Sequence, residues 1–245
     1  MKKARLDRVL VDRAIYPTRE QAQRAVMAGE VRVGDQVADK ASLLVDPNTV
    51  IATTKPPRYV GRGGLKLEGA LEFFQLDVRD RLAIDIGAST GGFTDCLLQH
   101  GARKVYAIDV GHGQLAWKIR NDPRVEVLEK TNARNLSPVL IGERADICVI
   151  DVSFISLTLI LPNAFQLITP NGGMLALIKP QFELERIEVG RGGIVRETAL
   201  HEKAQNKIVS FIENLGHKVI GLAPSVIAGA DGNREFFICA RKSLA

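Results

Sequence analysis

The run Leu82-Ala83-Ile84-Asp85-Ile86-Gly87-Ala88-Ser89-Thr90-Gly91-Gly92-Phe93-Thr94 decides how the rest of the chain is read. An Ile-rich apolar stretch is interrupted by an acid and turns through three glycines. It then enters Thr94-Asp95-Cys96-Leu97-Leu98, whose apolar spacing is helical. This pattern predicts a strand, a tight turn and a helix. Glycines at such a turn let the backbone approach a ligand closely, and the helix behind it begins with unpaired amides. The turn reads G-x-x-x-G-G rather than the G-x-G-x-x-G of pyrophosphate-binding folds, which argues against a nicotinamide dinucleotide. About 20 residues beyond such a turn, an acid ending the next strand can accept the two hydroxyls of a ribose. Here Val105-Tyr106-Ala107-Ile108 ends in Asp109. Gly87 and Asp109 together predict a nucleoside-type ligand.

Working outward, further apolar runs bounded by turns lie at 125–128, 145–151, 173–179 and near Val219-Ile220, with helical segments between them. That alternation predicts an α/β domain with a buried, mostly parallel sheet. A last hairpin, from Val219 through Gly229-Ala230-Asp231-Gly232-Asn233 to Phe236-Phe237-Ile238-Cys239-Ala240, predicts an antiparallel final strand. In open sheets of this kind the ligand lies beyond the carboxyl ends of the strands. Asp85, Asp109, Asp151 and Lys179 are therefore expected on one rim.

The chain of 245 residues carries a formal net charge of +5, and all of it arises early: residues 1–65 hold 12 Lys+Arg against 7 Asp+Glu, while the remainder is balanced. An N-terminal module that meets a polyanion is expected. Its apolar residues Leu6, Val9, Leu10 and Ala14 are helically spaced, and Pro17 ends that segment. Thr18 with Gln21 forms a helix N-cap, and the second helix stops at Gly29. Short strands follow at 31–33, 36–37 and 49–51. Pro56-Pro57 marks a boundary, so the expected division is a module over 1–55, a linker over 56–64 that is flexible at its glycines, and a catalytic domain over 65–245. The short linker implies that a polyanion caught by one domain can reach the other.

Cys96, Cys148 and Cys239 are widely spaced and form no CxxC, so a disulfide frame or zinc site is not expected. His100, His112, His201 and His217 lack ligand spacing, and no metal is expected. The basic start lacks an apolar stretch typical of a signal peptide, and the most apolar run, 154–161, is far short of the roughly 18 residues that span a bilayer. A cytoplasmic protein is expected.

Several motifs resemble known families. Asp85, the glycine turn and Asp109 resemble the S-adenosylmethionine site of Rossmann-like methyltransferases. That resemblance implies cofactor contacts from Asp85, Gly87, Ala88, Ser89, Thr90, Gly91, Gly92, Phe93, Asp109 and Asp151. Arg5-Leu6-Asp7-Arg8-Val9-Leu10, Thr18-Arg19-Glu20-Gln21-Ala22 and Gly29-x-Val31-x-Val33 resemble the RNA-binding domain first seen in ribosomal protein S-four. It implies phosphate contacts from Arg5, Arg8, Arg19 and Arg24, with Lys2 and Lys3 adding diffuse attraction and Arg62 of the linker contributing. With Tyr16 the only aromatic residue among the motifs, shape and phosphate recognition are expected there rather than base stacking.

An amine methyltransferase would show Asn/Asp-Pro-Pro-aromatic after the fourth strand, whereas this chain has Asp151-Val152-Ser153-Phe154. Lys66 in Gly-Gly-Leu-Lys-Leu, Asp151, Lys179 in Lys-Pro-Gln-Phe-Glu, and Glu235 in Gly-Asn-Arg-Glu-Phe-Phe resemble the Lys-Asp-Lys-Glu set of the FtsJ-related ribose 2′-O-methyltransferases. Taken end to end, the chain resembles the TlyA family of ribosomal RNA methyltransferases acting on cytidine, a family that also carries the name hemolysin. The resemblance implies ribosomal RNA or subunits as substrate. On acid–base grounds Lys179 is expected to receive the proton of the 2′-hydroxyl, with a nearby Lys66 ammonium helping to keep it neutral and with Asp151 and Glu235 orienting the lysines. The alternative keeps Lys179 charged while Asp151 takes the proton. Phe182 and Gly190-Arg191-Gly192-Gly193 are candidates to cover the cofactor or nucleotide. A membrane-active protein and a non-catalytic ribosome-assembly factor are the rival classes; the first lacks a visible spanning segment, and the tetrad argues against the second.

Overall fold

The computed structural model describes residues 3–13, 15–16, 18–54, 58–229 and 232–243. Lys2, Ala14, Pro17, Pro56, Pro57, Ala230 and Asp231, all used in the sequence reading, lie outside them. The chain divides into two compact units, Met1–Arg58 and Tyr59–Ala245.

In the first unit, β1 (Ala4–Arg5) leads into α1 (Leu6–Asp12) and α2 (Arg19–Met27), followed by β2 (Val31–Val33), β3 (Gln36–Val37), β4 (Leu44–Val45) and β5 (Ile51–Thr53). Thr18 caps α2 by accepting the Gln21 amide at 3.2 Å, and Gly29 leaves that helix at φ +72°. Strands β3, β2 and β5 form an antiparallel sheet, while β1 pairs with β4, a strand without a clear signal in the sequence. The last strand begins at Ile51, two residues later than expected. Leu6, Val9, Leu10, Ala22, Val26 and Val31 fill a small core.

The second unit opens with α3 (Gly63–Phe73) and β6 (Leu82–Ile86), α4 (Gly92–Gln99), β7 (Lys104–Ile108), α5 (Trp117–Arg120) and β8 (Val125–Leu128). It continues through α6 (Pro138–Ile141), β9 (Ala145–Ile150), α7 (Leu161–Gln166), β10 (Ile168–Ile178), α8 (Pro180–Glu183), α9 (Thr198–Asn214), β11 (Lys218–Pro224) and β12 (Phe236–Arg241). The sheet order is β11-β12-β10-β9-β6-β7-β8, parallel from β10 to β8, with β12 antiparallel to both neighbours. From β6 the chain winds outward through β7 and β8, then returns to the other side of β6 as β9. The reversal between β6 and β9 is where such sheets hold ligands.

Side chains of a strand alternate between faces. Leu82, Ile84 and Ile86 join the core under α7 and α9, whereas Ala83 joins the core with Leu67, Leu71 and Leu97 from α3 and α4. The same alternation turns Asp85 toward α4.

Residues 59–64 do not behave as a flexible linker. Tyr59 is buried and α3 has begun by Gly63. The glycines serve close packing: a Cβ at Gly64 would lie 2.3 Å from the Tyr59 ring, and one at Gly92 would lie 3.0 Å from the Gly64 nitrogen.

Candidate active site

The turn after β6 is shaped by backbone that only glycine tolerates. Gly87 has φ +88°, and a Cβ there would sit 2.2 Å from the carbonyl oxygen of Asp151. Its amide and that of Ala88 donate to the Ile108 carbonyl at 2.8 and 3.1 Å, tying the turn to β7. Gly91, at φ +95°, is the residue before α4, and a Cβ on it would meet Leu115 and Ile119. It shapes the turn from behind. Asp109 completes the arrangement: one oxygen accepts the Ser89 amide at 2.8 Å and the other the Gly111 amide at 2.6 Å.

Gly87, Ser89, Asp109 and Asp151 line a cleft of about 480 Å³, together with Asn132 and Phe154. A smaller space of about 140 Å³ adjoins it, lined by Gly87, Ala88, Ser89, Thr90, Gly92, Phe93 and Asp151 with Gly63. Asp151 is on the wall of both. The larger volume falls within the range of pockets that enclose drug-sized ligands.

Asp85 departs from the expected position. It lies within β6 and is completely buried, with Oδ2 accepting from the Thr94 hydroxyl at 2.6 Å and Oδ1 without a hydrogen-bond partner. Burial, reinforced by the nearby Asp151 and Asp109 carboxylates, pushes its pKa up to about 7 against the opposing Thr94 hydrogen bond. Strand alternation explains the displacement, because an acid one residue before the end of β6 points into the α4 face and not over the rim.

The four tetrad residues form two pairs. Lys66 on α3 donates to Glu235 Oε2 at 2.5 Å, with both side chains nearly inaccessible. Lys179, the residue after β10, lies 2.6 Å from Asp151 Oδ1 and donates to Ser153 Oγ at 3.0 Å. The Asp151 contact is a close ion pair rather than an aligned hydrogen bond. Among the described residues, no hydrogen bond or ion pair joins one pair to the other. Glu235 lies just before β12, where its carbonyl accepts the Ser225 amide at 2.9 Å and its side chain reaches Lys66 on α3.

Beside the second pair, Phe154 is 90% exposed and has φ +65°, and its ring lies 5.1 Å from that of Phe182. In the N-terminal unit, Arg5 and Arg19 converge on Asp7, which is fully buried and also accepts from Gln23. The Arg5 guanidinium, helped by Gln23 and Arg19, holds the Asp7 carboxyl well below its usual range despite burial. Among the described residues Arg8 makes only a 3.9 Å contact with Asp12, and Lys3 and Arg24 are exposed. Arg62 belongs to the second unit and donates to the Ala228 carbonyl at 3.1 Å.

Sequence reasoning passed over Asp7, Ser153 and Glu183. Each lay inside a quoted motif, but an acid or hydroxyl that serves other side chains has no spacing signal of its own.

The FtsJ-like methyltransferase family model matches residues 59–242. The chain belongs to that family. Membership in the FtsJ-like methyltransferases implies S-adenosylmethionine as methyl donor, and the glycine cradle, ribose-height acid and cleft volume fit it. A second model, the S4 domain, matches residues 4–51. The chain is 43% identical to "16S/23S rRNA (cytidine-2'-O)-methyltransferase TlyA" of Mycobacterium tuberculosis, over 98% of this chain and 90% of that one. It is 44% identical to "Hemolysin A" of Brachyspira hyodysenteriae, over 95% and 97% of the two chains. A solved structure, "Putative hemolysin from Streptococcus thermophilus", is 46% identical, superposes with a TM-score of 0.75, and is covered to 90% by 99% of this chain. No helix among the described residues is long and apolar enough to cross a membrane.

Proposed function

We propose that this protein transfers a methyl group from S-adenosylmethionine to the ribose 2′-hydroxyl of a cytidine in ribosomal RNA, in the cytoplasm, with the N-terminal unit binding the RNA. The observation that carries this reading is Asp151 on the wall of the glycine-turn cleft, with the Lys179 ammonium 2.6 Å from its Oδ1. The Mycobacterium tuberculosis relative, whose name states that chemistry and substrate, supports it.

When bound, the cofactor supplies a methyl on a sulfonium, already a good electrophile. The chain must therefore hold the ligand, align the hydroxyl and remove its proton. Residues 87–93 would cradle the cofactor and Asp109 would accept its ribose hydroxyls, while Asp85 holds Thr94 of α4 behind the turn. Asp109 keeps lone pairs for this, because each oxygen accepts only one amide. Proton removal falls to the Lys179–Asp151 pair, with Ser153 fixing the lysine. The proton goes to Lys179 if that side chain enters neutral, and to Asp151 if it enters as an ammonium that stabilises the developing alkoxide. Lys179→Arg separates the two, since arginine stays charged; full single-turnover activity would exclude the lysine as acceptor. Phe154, exposed against Phe182, offers a stacking face for a nucleotide base at the mouth of the cleft, an interaction worth about 1–3 kcal/mol per base. Arg5, Arg8, Arg19 and Arg24 would hold phosphates, with Lys3 and Arg62 in lesser roles.

The test is methyl transfer from labelled S-adenosylmethionine to ribosomal subunits from cells lacking the protein, followed by mapping of ribose methylation. Label on a cytidine 2′-oxygen, abolished by Lys179→Ala, is expected. Labelled base, or no label despite cofactor binding, would overturn the reading.

A further inference from the structure

Two loops of the second unit run side by side and are joined in sequence order. The loop after β9 carries Asp151, Ser153 and Phe154; the segment after β10 carries Lys179, Phe182 and Glu183. Lys179 meets Asp151 and Ser153, Phe182 meets Phe154, and Glu183 then reaches Ser156 and Leu157. The last contact is the most tightly built. Glu183 is 5% exposed, its Oε2 accepts from the Ser156 hydroxyl at 2.6 Å, and its Oε1 accepts from the Leu157 amide at 2.7 Å. Lys207 of α9 lies 3.2 Å from Oε2 and donates to the Glu183 carbonyl at 2.5 Å.

A buried carboxylate without compensating partners is costly, so its presence needs a local reason. Every partner of Glu183 explains its placement. The Leu157 amide belongs to the first turn of a short 3-10 helix at Leu157–Leu159 and has no helical partner of its own. Lys207 comes from the helix beneath. At the other end of the same loop, the Asp151 amide donates to the Ile86 carbonyl at 2.9 Å. The loop is therefore anchored to β6 at one end and to Glu183 at the other, and the reacting groups lie between. Glu183 does not line the cleft and touches none of Asp151, Ser153, Phe154 or Lys179 through a hydrogen bond among the described residues.

We propose that Glu183 is a positioning residue for methyl transfer: by riveting Ser156 and Leu157 to the segment that carries Lys179, it sets the Lys179–Asp151 geometry and holds Phe154 against Phe182. The inference rests on the proposed methyl-transfer reading. It weighs on the acceptor side more than on the cofactor side: the turn at 87–92 and Asp109 are tied to β7, whereas the riveted loop gives the cleft only part of its wall, Asp151 and Phe154 among it.

The experiment compares Glu183→Ala with Glu183→Gln in the full chain, measuring single-turnover methyl transfer to ribosomal subunits, S-adenosylmethionine affinity by calorimetry, and amide exchange at Leu157. Glutamine can still accept from the Leu157 amide, and its nitrogen can donate to a reversed Ser156 hydroxyl. The alanine variant should slow transfer on the order of 10²-fold and the glutamine variant only about threefold, as ångström-scale misplacement predicts. Cofactor affinity should fall far less than the transfer rate in both, since the turn at 87–92 and Asp109 are held separately, and Leu157 exchange should accelerate only in the alanine variant. A folded alanine variant at the wild-type rate would overturn the proposal. So would a loss matched by equal loss of cofactor affinity, or glutamine as slow as alanine. If the alanine variant does not fold, Ser156→Ala decides: slower transfer with a far smaller loss of cofactor affinity supports the rivet, and the wild-type rate rejects it. Absence of transfer by the wild-type protein would instead sink the functional reading, while the Leu157 exchange comparison would still judge the rivet.

Discussion

Lys66 with Glu235 and Lys179 with Asp151 are both lysine–carboxylate pairs, at 2.5 and 2.6 Å, yet their surroundings differ. The first joins α3 to the residue before β12, with the Glu235 side chain 3% exposed. The second opens on the cleft, and its Asp151 side chain is 20% exposed and forms part of the wall of both spaces. Lys179 also has a neutral partner in Ser153. A dry, fully matched pair fixes two segments relative to each other. A pair whose carboxylate lies on the wall of a cleft can meet a ligand there, although Asp151 Oδ1, the oxygen beside Lys179, is itself buried. Motif order alone presents the four residues as equivalent; the lysine side chains are alike at 10% and 11% exposure, and it is the carboxylates, at 3% and 20%, that make the first pair the candidate structural half and the second the candidate reactive half.

The sharpest way to break this comparison is to remove each lysine. Lys179→Ala should lower single-turnover transfer by roughly 10²–10⁴-fold, the range of a lost acid–base group. Its thermal midpoint should change less than that of Lys66→Ala. In Lys66→Ala, an uncompensated buried Glu235 should cost about 3–5 kcal/mol of stability, read by denaturant unfolding. Replacing both members with apolar residues should recover much of that loss. If the two lysine variants lose stability equally, the division into structural and reactive halves fails.

A third, smaller effect concerns the buried acid behind the turn. The folded state holds the Asp85 proton up to about pH 7, whereas an unfolded aspartate releases it near pH 3.9. Between those values the native state binds more protons than the unfolded one, so stability should fall as pH rises, by up to about 1.4 kcal/mol per pH unit. Asp85→Asn should flatten that slope in urea titrations from pH 4 to 8. An unchanged slope would show that the burial of Asp85 carries no linkage.

The smallest effect is expected in the N-terminal unit. Arg19→Ala removes one proposed phosphate contact, so RNA affinity should weaken regardless of sequence, and the slope of log affinity against log salt should fall by about 1. Arg24→Ala, which removes an arginine without the Asp7 anchor, should cost less affinity, because a side chain held in place loses less entropy on binding. Equal losses would mean that Asp7 only staples α1 to α2.

Much of the architecture was readable in the chain. Gly87 and Asp109 foretold the cleft because a positive-φ turn and a strand-end acid are local features with few alternative uses. The same local logic misplaced Asp85, whose direction depends on the parity of β6. It also read Gly61-Arg62-Gly63-Gly64 as a flexible linker, because close backbone packing and freedom both select glycine. Glu183 and Asp7 stood in quoted motifs and remained silent, since their partners lie on other elements.

By itself the sequence determined the alternation of strands and helices, the basic N-terminal module, the glycine turn and the identities of the four lysine and acid residues. The first three follow from periodicity, charge and backbone propensity over short stretches, and the four lysine and acid residues from their resemblance to a family's motif set. Only the tertiary structure decided that the tetrad splits into a closed pair and an open pair, that Asp85 stands behind the turn, and that Glu183 and Asp7 organise side chains they do not adjoin in sequence. Burial and hydrogen-bond partners depend on which segments meet, and contacts such as Lys66 with Glu235, 169 residues apart, exist only after the sheet has formed.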